Sequence, residues 1–519
     1  MKPDLFYAWP LLRYADRTAI VFGERRLTFR EMDRRINRVS HALLSLGLRK
    51  GHKVAMLLHN GVEAAECILA VPRAGLTYVA LNPRHSAQEH AFVLNDSETD
   101  AVILDSEFLE PMEAVLPSTP SVRFVIVVGP TAAGRLNYEE MLKDRPETDP
   151  GVEVDADDIE RIHYTSGTTG RPKGAISTFR LAQNRMMDVL INLDQPILPT
   201  DVNLNIGPLT HAAGFMMAIY YIRGAANVIL RRFDPEEVLR AIEQERVTSV
   251  LFIPTMLYRL LKSPNLRAHD LSSLKRVWYG TAPTIPARLK EAIEVFGPIF
   301  RQNYGQSESA QPITFLGPED HVVDGPPEKL RRLASAGKPA LGVELKVLRE
   351  DGTAISPGEI GEIVIRTNHM FKGYWKMPEA TAAAFRDGWL LTQDMGTLDE
   401  DGYVYIVDRK HDMIISGGFN IYPREVEDAI LRHPGVAEAA VIGVPDDLWG
   451  ENVKAFVVPK DGISPTEEEI IAVCQEHLAS YKKPKSVEFV RELPKTPYGK
   501  IQRRELKERY WQGLERRVH

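Results

Sequence analysis

At 519 residues the chain is too long for one hydrophobic core, so two or more domains are expected. A hydrophobic share of 44% and a charged share of 26% exclude a disordered, collagen-like or membrane-embedded chain and fit a soluble globular one. The net charge of −7 is uneven: residues 481–519 hold 12 Lys+Arg against 5 Asp+Glu, a basic tail that reads either as a solvated helical end or as a site for a small polyanion. No arginine-rich array with interleaved aromatics accompanies it, so nucleic acid is not expected as a partner.

The start, "MKPDLFYAWPLLRYADR", lacks a basic region followed by an apolar run, so no signal peptide is expected. No run approaches 18 apolar residues, so no transmembrane segment is expected. The final "RRVH" is not a peroxisomal address. Cys67 and Cys474 form no framework, and a reducing, cytoplasmic setting is the default. Along the chain, helix-like and strand-like segments alternate. "AQEHAFVLND" (87–96) reads as a helix and "DAVILD" (100–105) as a strand. "DPEEVLRAIEQERV" (234–247) opens with Asp234 as N-cap and Pro235 at the first helical position. The strand "TSVLFIP", the helix "TMLYRLL" and the strand "LKRVWYG" follow. This alternation predicts a large N-terminal α/β domain of layered, largely parallel sheets. After about Gly337, "GVELKVLREDGTAISPGEIGEIVIRT" predicts a small β-rich subdomain of antiparallel strands. From about Arg409, two helices and two strands predict a compact α+β C-terminal domain of about 110 residues.

One loop fits neither strand nor helix. "YTSGTTGRPKG" (164–174) sets Thr165, Ser166, Thr168 and Thr169 around Gly167 and Gly170, then adds Lys173. Short hydroxyls and glycines let backbone N–H groups converge on an anion, and Lys173 adds a point charge. Its flanks, "RIHY" and "GAIS", read as strands. The loop is not a Walker A loop, because no Gly-Lys-Ser/Thr closes it. The chain also has no G-x-G-x-x-G, G-x-S-x-G or H-E-x-x-H.

The loop resembles the phosphate-loop signature of the adenylate-forming superfamily, which includes acyl-CoA synthetases, peptide-synthetase adenylation domains and luciferases. Further segments are similar to that family's motifs and follow in its order: "YGTAPT" (279–284), "QNYGQSES" (302–309), "GWLLTQDMG" (388–396), "DRKHDMIISGGFNIYP" (408–423) and "PKTPYGKIQRREL" (494–506). The resemblance spans nearly the whole chain. It implies an N-terminal AMP-binding domain over 1–407 and a mobile C-terminal domain over 408–519, with Asp408 as hinge. Asp408 reads equally as a helix cap. The implied reaction has two steps: a carboxylate attacks the α-phosphate of ATP, giving an acyl-adenylate and pyrophosphate, and a thiol then displaces AMP.

By the same resemblance, Thr165 to Lys173 would cradle the β- and γ-phosphates, and Glu308 would hold Mg²⁺ with Thr165. Tyr304 would stack on adenine beside Ala282 and Asn303, with Gln302 and Ser307 also at the nucleotide. Asp394 would bind the ribose hydroxyls, with Arg409 assisting. Lys500 would bridge carboxylate and phosphate in the first transition state. For the thiol step the small domain would rotate about its hinge and present Ser416, Gly417 and Gly418, where coenzyme A's pantetheine arm could pass. Trp449 and Tyr481 would pack on the CoA adenine and Lys483 would pair with its phosphates; Trp449 also reads as plain packing. His211, in "PLTHAAGF", is either a satisfied core histidine or a gate on the acid pocket. That pocket, walled by His211, Ala212, Ala213, Phe215, Phe252, Gly280 and Gly305, reads as apolar and without a cation. Two residues depart from the family pattern. Gln393 stands where Gly is usual, and His411 stands where many members have Lys.

The expected activity is therefore an AMP-forming carboxylate–CoA ligase, an acyl-CoA synthetase using ATP, Mg²⁺ and CoA. Its acid would be an apolar monocarboxylic one, aromatic, alicyclic or medium-chain, and a homodimer is compatible with the sequence. The alternative is an acyl-adenylating enzyme that loads a separate carrier protein; residues 501–519 are too few to be a fused carrier. A nucleotide-binding regulator without catalysis is disfavoured by the intact Glu308, Asp394, Arg409 and Lys500.

Overall fold

The computed structural model describes residues 6–83, 85–165, 172–282, 284–310, 312–416, 419–446, 448–495 and 501–512, Thr165 by its backbone alone. Two compact units divide the chain: Met1–Glu344 with Arg366–Leu390, and Leu345–Ile365 with Leu391–His519.

The first, larger unit is built on two sheets. A 7-stranded sheet runs in the order Leu136–Asn137, Phe124–Val128, Ala101–Asp105, Lys53–Leu57, Thr77–Ala80, Ile159–Thr165 and Lys173–Thr178. All its pairs are parallel except the last. Parallel strands are covered on both faces and read as apolar runs. Here Val54 and Met56 enter one core cluster while Ala55 and Leu57 enter another. A 9-stranded sheet has Val202–Asn205, Ser249–Phe252, Arg276–Gly280 and Phe300–Tyr304 as a parallel centre and antiparallel strands at its edges. The expected helices are present. Ala87–Ser97 starts from a Ser86–Glu89 capping box, and Pro235–Gln244 starts from Asp234, whose carboxylate accepts the N–H groups of Glu236 and Glu237. Such caps satisfy amide donors that have no partner inside the helix.

The second unit also has two sheets. In one, Glu344–Leu348, Gly361–Arg366 and Trp389–Leu398 lie in that order, and Val404–Arg409 runs antiparallel to the last. In the other, Gly450–Pro459 lies between Ile414–Ser416 and Val436–Asp446, with Ser486–Phe489 parallel to it. Helices Pro423–Ile430 and Glu467–His477 supply Val426, Ile430, Ile470 and Cys474 to one core of this sheet. Arg503–Trp511 supplies Leu506 to a separate core with Ala440, Ile442 and Phe456.

The division into compact units does not fall at 407/408. The β-rich strands group with the C-terminal residues because their ladders run through that point. Asp394 pairs with Arg409 and Met395 with Asp408, and the Asp408 carboxylate accepts the Arg424 N–H at 2.8 Å. Asp408 thus caps the first turn of helix Pro423–Ile430.

Candidate active site

In the first unit, the strands flanking the hydroxyl-rich loop pair antiparallel, with Thr165 opposite Lys173. The ends of the loop are therefore held together, while Ser166, Gly167, Thr168, Thr169 and Gly170 lie outside the described residues. Residues 372–375 run beside the Lys173–Thr178 strand: the Trp375 N–H donates to the Gly174 carbonyl at 2.8 Å and the Ile176 N–H to the Gly373 carbonyl at 2.9 Å. This approach needs glycine at 174, where a Cβ would lie 2.7 Å from Ile162 and 3.4 Å from Trp375. Tyr374 is carried into place by that contact. Its hydroxyl donates to Glu308 Oε1 at 2.7 Å, and Lys173 Nζ sits 5.2 Å from its ring centroid. The Glu308 carbonyl accepts the Phe371 N–H at 2.7 Å. One tyrosine, absent from the sequence-based set, thus brings the expected metal carboxylate and the expected phosphate cation together.

The proposed adenine slot lies at the carboxyl ends of two adjacent parallel strands, Arg276–Gly280 and Phe300–Tyr304, where open α/β sheets bind ligands. Gly280 pairs with Asn303, and a Cβ at 280 would stand 2.7 Å from the Asn303 carbonyl. Thr281 next to it has φ +66°, a strained value for a β-branched residue and a mark of functional turns. Among the described residues, Thr281 Oγ1, Gln302 Oε1 and Asn303 Oδ1 are buried without a hydrogen-bond partner. Buried acceptors without donors are costly, and an aminopurine would supply N–H donors to those that face it; Gln302 and Asn303, successive residues of one strand, point to opposite faces of the sheet. Tyr304 is buried there, while Ala282 and Ser307 are half-buried.

His211 precedes helix Ala212–Ile222. Its Nδ1 lies 2.9 Å from Thr210 Oγ1, and its ring meets His163 edge-on at 4.9 Å. Burial, then the Arg161 and Arg185 charges, push His163 down to about 4, so that ring is neutral at pH 7. One residue of the expected apolar wall, Phe215, has a cation against its ring. The Arg185 guanidinium, on helix Phe179–Ile191, lies 3.4 Å from the Phe215 ring centroid. Burial, and then Arg161, bring it down to about 9, which leaves it charged at pH 7. Such a contact is attractive because the ring face is electron-rich.

In the second unit, Asp394 is 3% exposed and accepts Arg409 Nε at 2.8 Å across the ladder that pairs them. His411 is pushed down chiefly by burial, so it adds no fixed charge at pH 7. Arg503 forks onto Glu427 at 2.7 and 2.8 Å and reaches Asp412 at 3.5 Å. Asp408 sits in this group and is pushed up from 3.8 to about 6, first by burial and then by Glu427 and Asp412 against Arg503. A carboxyl held in the fold above its ordinary value favours the fold when protonated. Its contribution, about 3 kcal/mol, is whole below pH 4 and lost as pH rises through 6. Asp408→Asn should remove that component: the melting temperature of the variant relative to the native chain is expected to rise between pH 4 and 7. Parallel pH profiles would show that Asp408 does not titrate in this way.

Ser416 pairs with Phe419 and Gly450; Gly417, Gly418 and Lys500 lie outside the described residues. Trp449 is 46% exposed, which disfavours plain packing. Tyr481 stacks on Phe419 at 4.5 Å, an exposed aromatic pair whose second member the motif reading passed over. Lys483 is half-buried; its neighbour Lys482 is held by Glu425 at 2.6 Å.

The family model for AMP-binding enzymes matches residues 8–375, and that for the AMP-binding enzyme C-terminal domain matches 425–500. The chain belongs to the AMP-binding, adenylate-forming enzymes. It is 38% identical to a medium/long-chain-fatty-acid–CoA ligase, FadD8, of Mycobacterium tuberculosis, over 98% of this chain and 90% of that one. It is 39% identical to a feruloyl-CoA synthase of an Amycolatopsis species, over 97% and 98%. Among solved structures, the amide bond synthetase McbA of Marinactinospora thermotolerans superposes with a TM-score of 0.88 at 32% identity, covering 98% of this chain and all of that one. Within this adenylate-forming family the chain is an AMP-forming acid–thiol ligase of the acyl-CoA synthetase type. Among the described residues no helix is long and apolar enough to cross a membrane.

Proposed function

We propose that the chain, a cytoplasmic enzyme, activates an apolar carboxylic acid as its acyl-adenylate and passes the acyl group to the thiol of coenzyme A. The observation that carries this reading is the Lys173–Tyr374–Glu308 contact at the end of the loop strands. A cation and a hard carboxylate beside glycines and hydroxyls suit a metal-bound polyphosphate. Mg²⁺ held by Glu308 and Thr165 would neutralise phosphate charge. Asp394 and Arg409 would hold the ribose, and Gln302, Asn303 and Tyr304 the adenine. In the first step a carboxylate oxygen bonds the α-phosphorus while its bond to the pyrophosphate oxygen breaks. In the second, sulfur bonds the acyl carbon, AMP leaves, and the thiol proton passes to solvent. Ser416, Gly417 and Gly418, with Trp449, Tyr481 and Lys483, would receive CoA.

The acid pocket at His211 and Phe215 would take aromatic, alicyclic or medium-chain acids. If the Arg185 guanidinium against the Phe215 ring borders that pocket, acids with an oxygen function at the far end would also be taken. Acid-dependent pyrophosphate release across a panel of such acids is the test, followed by acceptor arms with CoA, a carrier protein and a simple amine. Thioester with CoA supports the proposal. Release with no acid, or product only with carrier protein or amine, refutes it.

A further inference from the structure

Glu362 is a buried carboxylate, 8% exposed, with no part in the chemistry described so far. It lies on strand Gly361–Arg366, and its two oxygens are divided between two residues. Oε1 accepts the Gln393 side-chain amide at 3.1 Å and the Gln393 backbone N–H at 3.3 Å. Oε2 accepts Lys410 Nζ at 2.8 Å. The Lys410 N–H in turn donates to the Gln393 carbonyl at 2.9 Å. Gln393 immediately precedes Asp394, and Lys410 immediately follows Arg409. One carboxylate thus closes a ring around the rung on which Asp394 faces Arg409.

The ring answers a local cost. Gln393 has φ +60°, the left-handed region, which a residue with a Cβ occupies only against steric resistance. Glycine would adopt it freely, and glycine is the usual residue here in the family the sequence resembles. With glutamine in that place, the kink in strand Trp389–Leu398 before Asp394 needs an outside hold, and Glu362 gives it twice, through backbone and side chain. Lys410 compensates the charge that Glu362 buries.

We propose that Glu362 is a positioning residue for the nucleotide: it holds Gln393 in its left-handed kink within strand Trp389–Leu398 and Lys410 next to the facing strand, and so sets the Asp394–Arg409 pair for the ribose. This rests on the reading of that pair as the ribose site, and the test separates the two. Asp394→Ala should raise the KM for ATP about a hundredfold or more, the loss of two hydrogen bonds to a charged group at about 1.5–3 kcal/mol each. Glu362→Ala should raise it about tenfold, the cost of the unsupported strand kink at Gln393, with kcat at saturating ATP and the KM for the acid within about twofold of native. Glu362→Gln keeps an acceptor for Gln393 and loses the pairing charge, so a smaller rise is expected. In a Gln393→Gly background, where the kink in the strand needs no hold, Glu362→Ala should change the KM for ATP by less than about twofold. If Asp394→Ala leaves the KM for ATP unchanged, the ribose reading fails. If Asp394→Ala raises it and Glu362→Ala only lowers the melting temperature, or costs the same in the Gln393→Gly background, the positioning role is overturned.

Discussion

Lys500→Ala is expected to abolish formation of acyl-adenylate from acid and ATP while leaving its conversion to thioester near the native rate. In the first step a carboxylate must approach the α-phosphate, and both are anions. A cation held between them lowers the barrier as charge redistributes. Removing one preorganised donor of this kind costs about 10²–10³ in rate, and a charged one more. In the second step the adenylate already exists, and the rotation implied by the family resemblance takes Lys500 away. Single-turnover assays with acid plus ATP, and separately with synthetic acyl-AMP plus CoA, measure the two steps. Loss of both with the fold intact by circular dichroism would contradict the two-conformation mechanism. Unimpaired adenylation would remove Lys500 from the chemistry.

Glu308→Ala should lower acid-dependent pyrophosphate release about 10²–10³-fold at ordinary Mg²⁺, because the variant would lose a hard oxygen ligand at the proposed meeting point of metal and phosphates. Tyr374→Phe supplies a graded companion. It keeps the ring under Lys173 and removes only the hydroxyl that fixes Glu308 Oε1 at 2.7 Å. A hydrogen bond to a charged group is worth about 1.5–3 kcal/mol, so a loss of about tenfold to a hundredfold is expected, with the apparent Mg²⁺ requirement raised. Native rates and Mg²⁺ dependence in both variants would place the metal elsewhere.

Local chemistry was legible in the sequence; contacts between distant segments were not. Asp234 before Pro235 predicts a helix start, and the cap is there. The segments at 100–105 and 274–280 predict strands, and both lie inside sheets. Asp408 reads as hinge or cap from its motif; its bond to the Arg424 N–H is of the capping kind and leaves the hinge reading a proposal. Tyr374 was invisible because nothing around "GYW" marks it. Its role depends on Gly174 letting residues 372–375 lie against the loop's own strand. Arg185 was passed over for a similar reason: helical spacing does not tell which helix lies over Phe215. The domain limit at 407/408 followed motif order, whereas compactness follows the Asp394–Arg409 ladder. Gln393 was noticed as a departure, but its consequence needed its φ and the carboxylate of Glu362, residues apart in sequence and joined only by the sheet.

The central claim is that the acid is activated by bonding its own oxygen to the α-phosphorus of ATP. Turnover of an acid carrying ¹⁸O in both carboxylate oxygens, with ATP and CoA, followed by mass spectrometry of the nucleotide, tests this directly. The predicted result is AMP bearing one ¹⁸O atom, with unlabelled pyrophosphate. Unlabelled AMP, or ADP with ¹⁸O in inorganic phosphate, would contradict it.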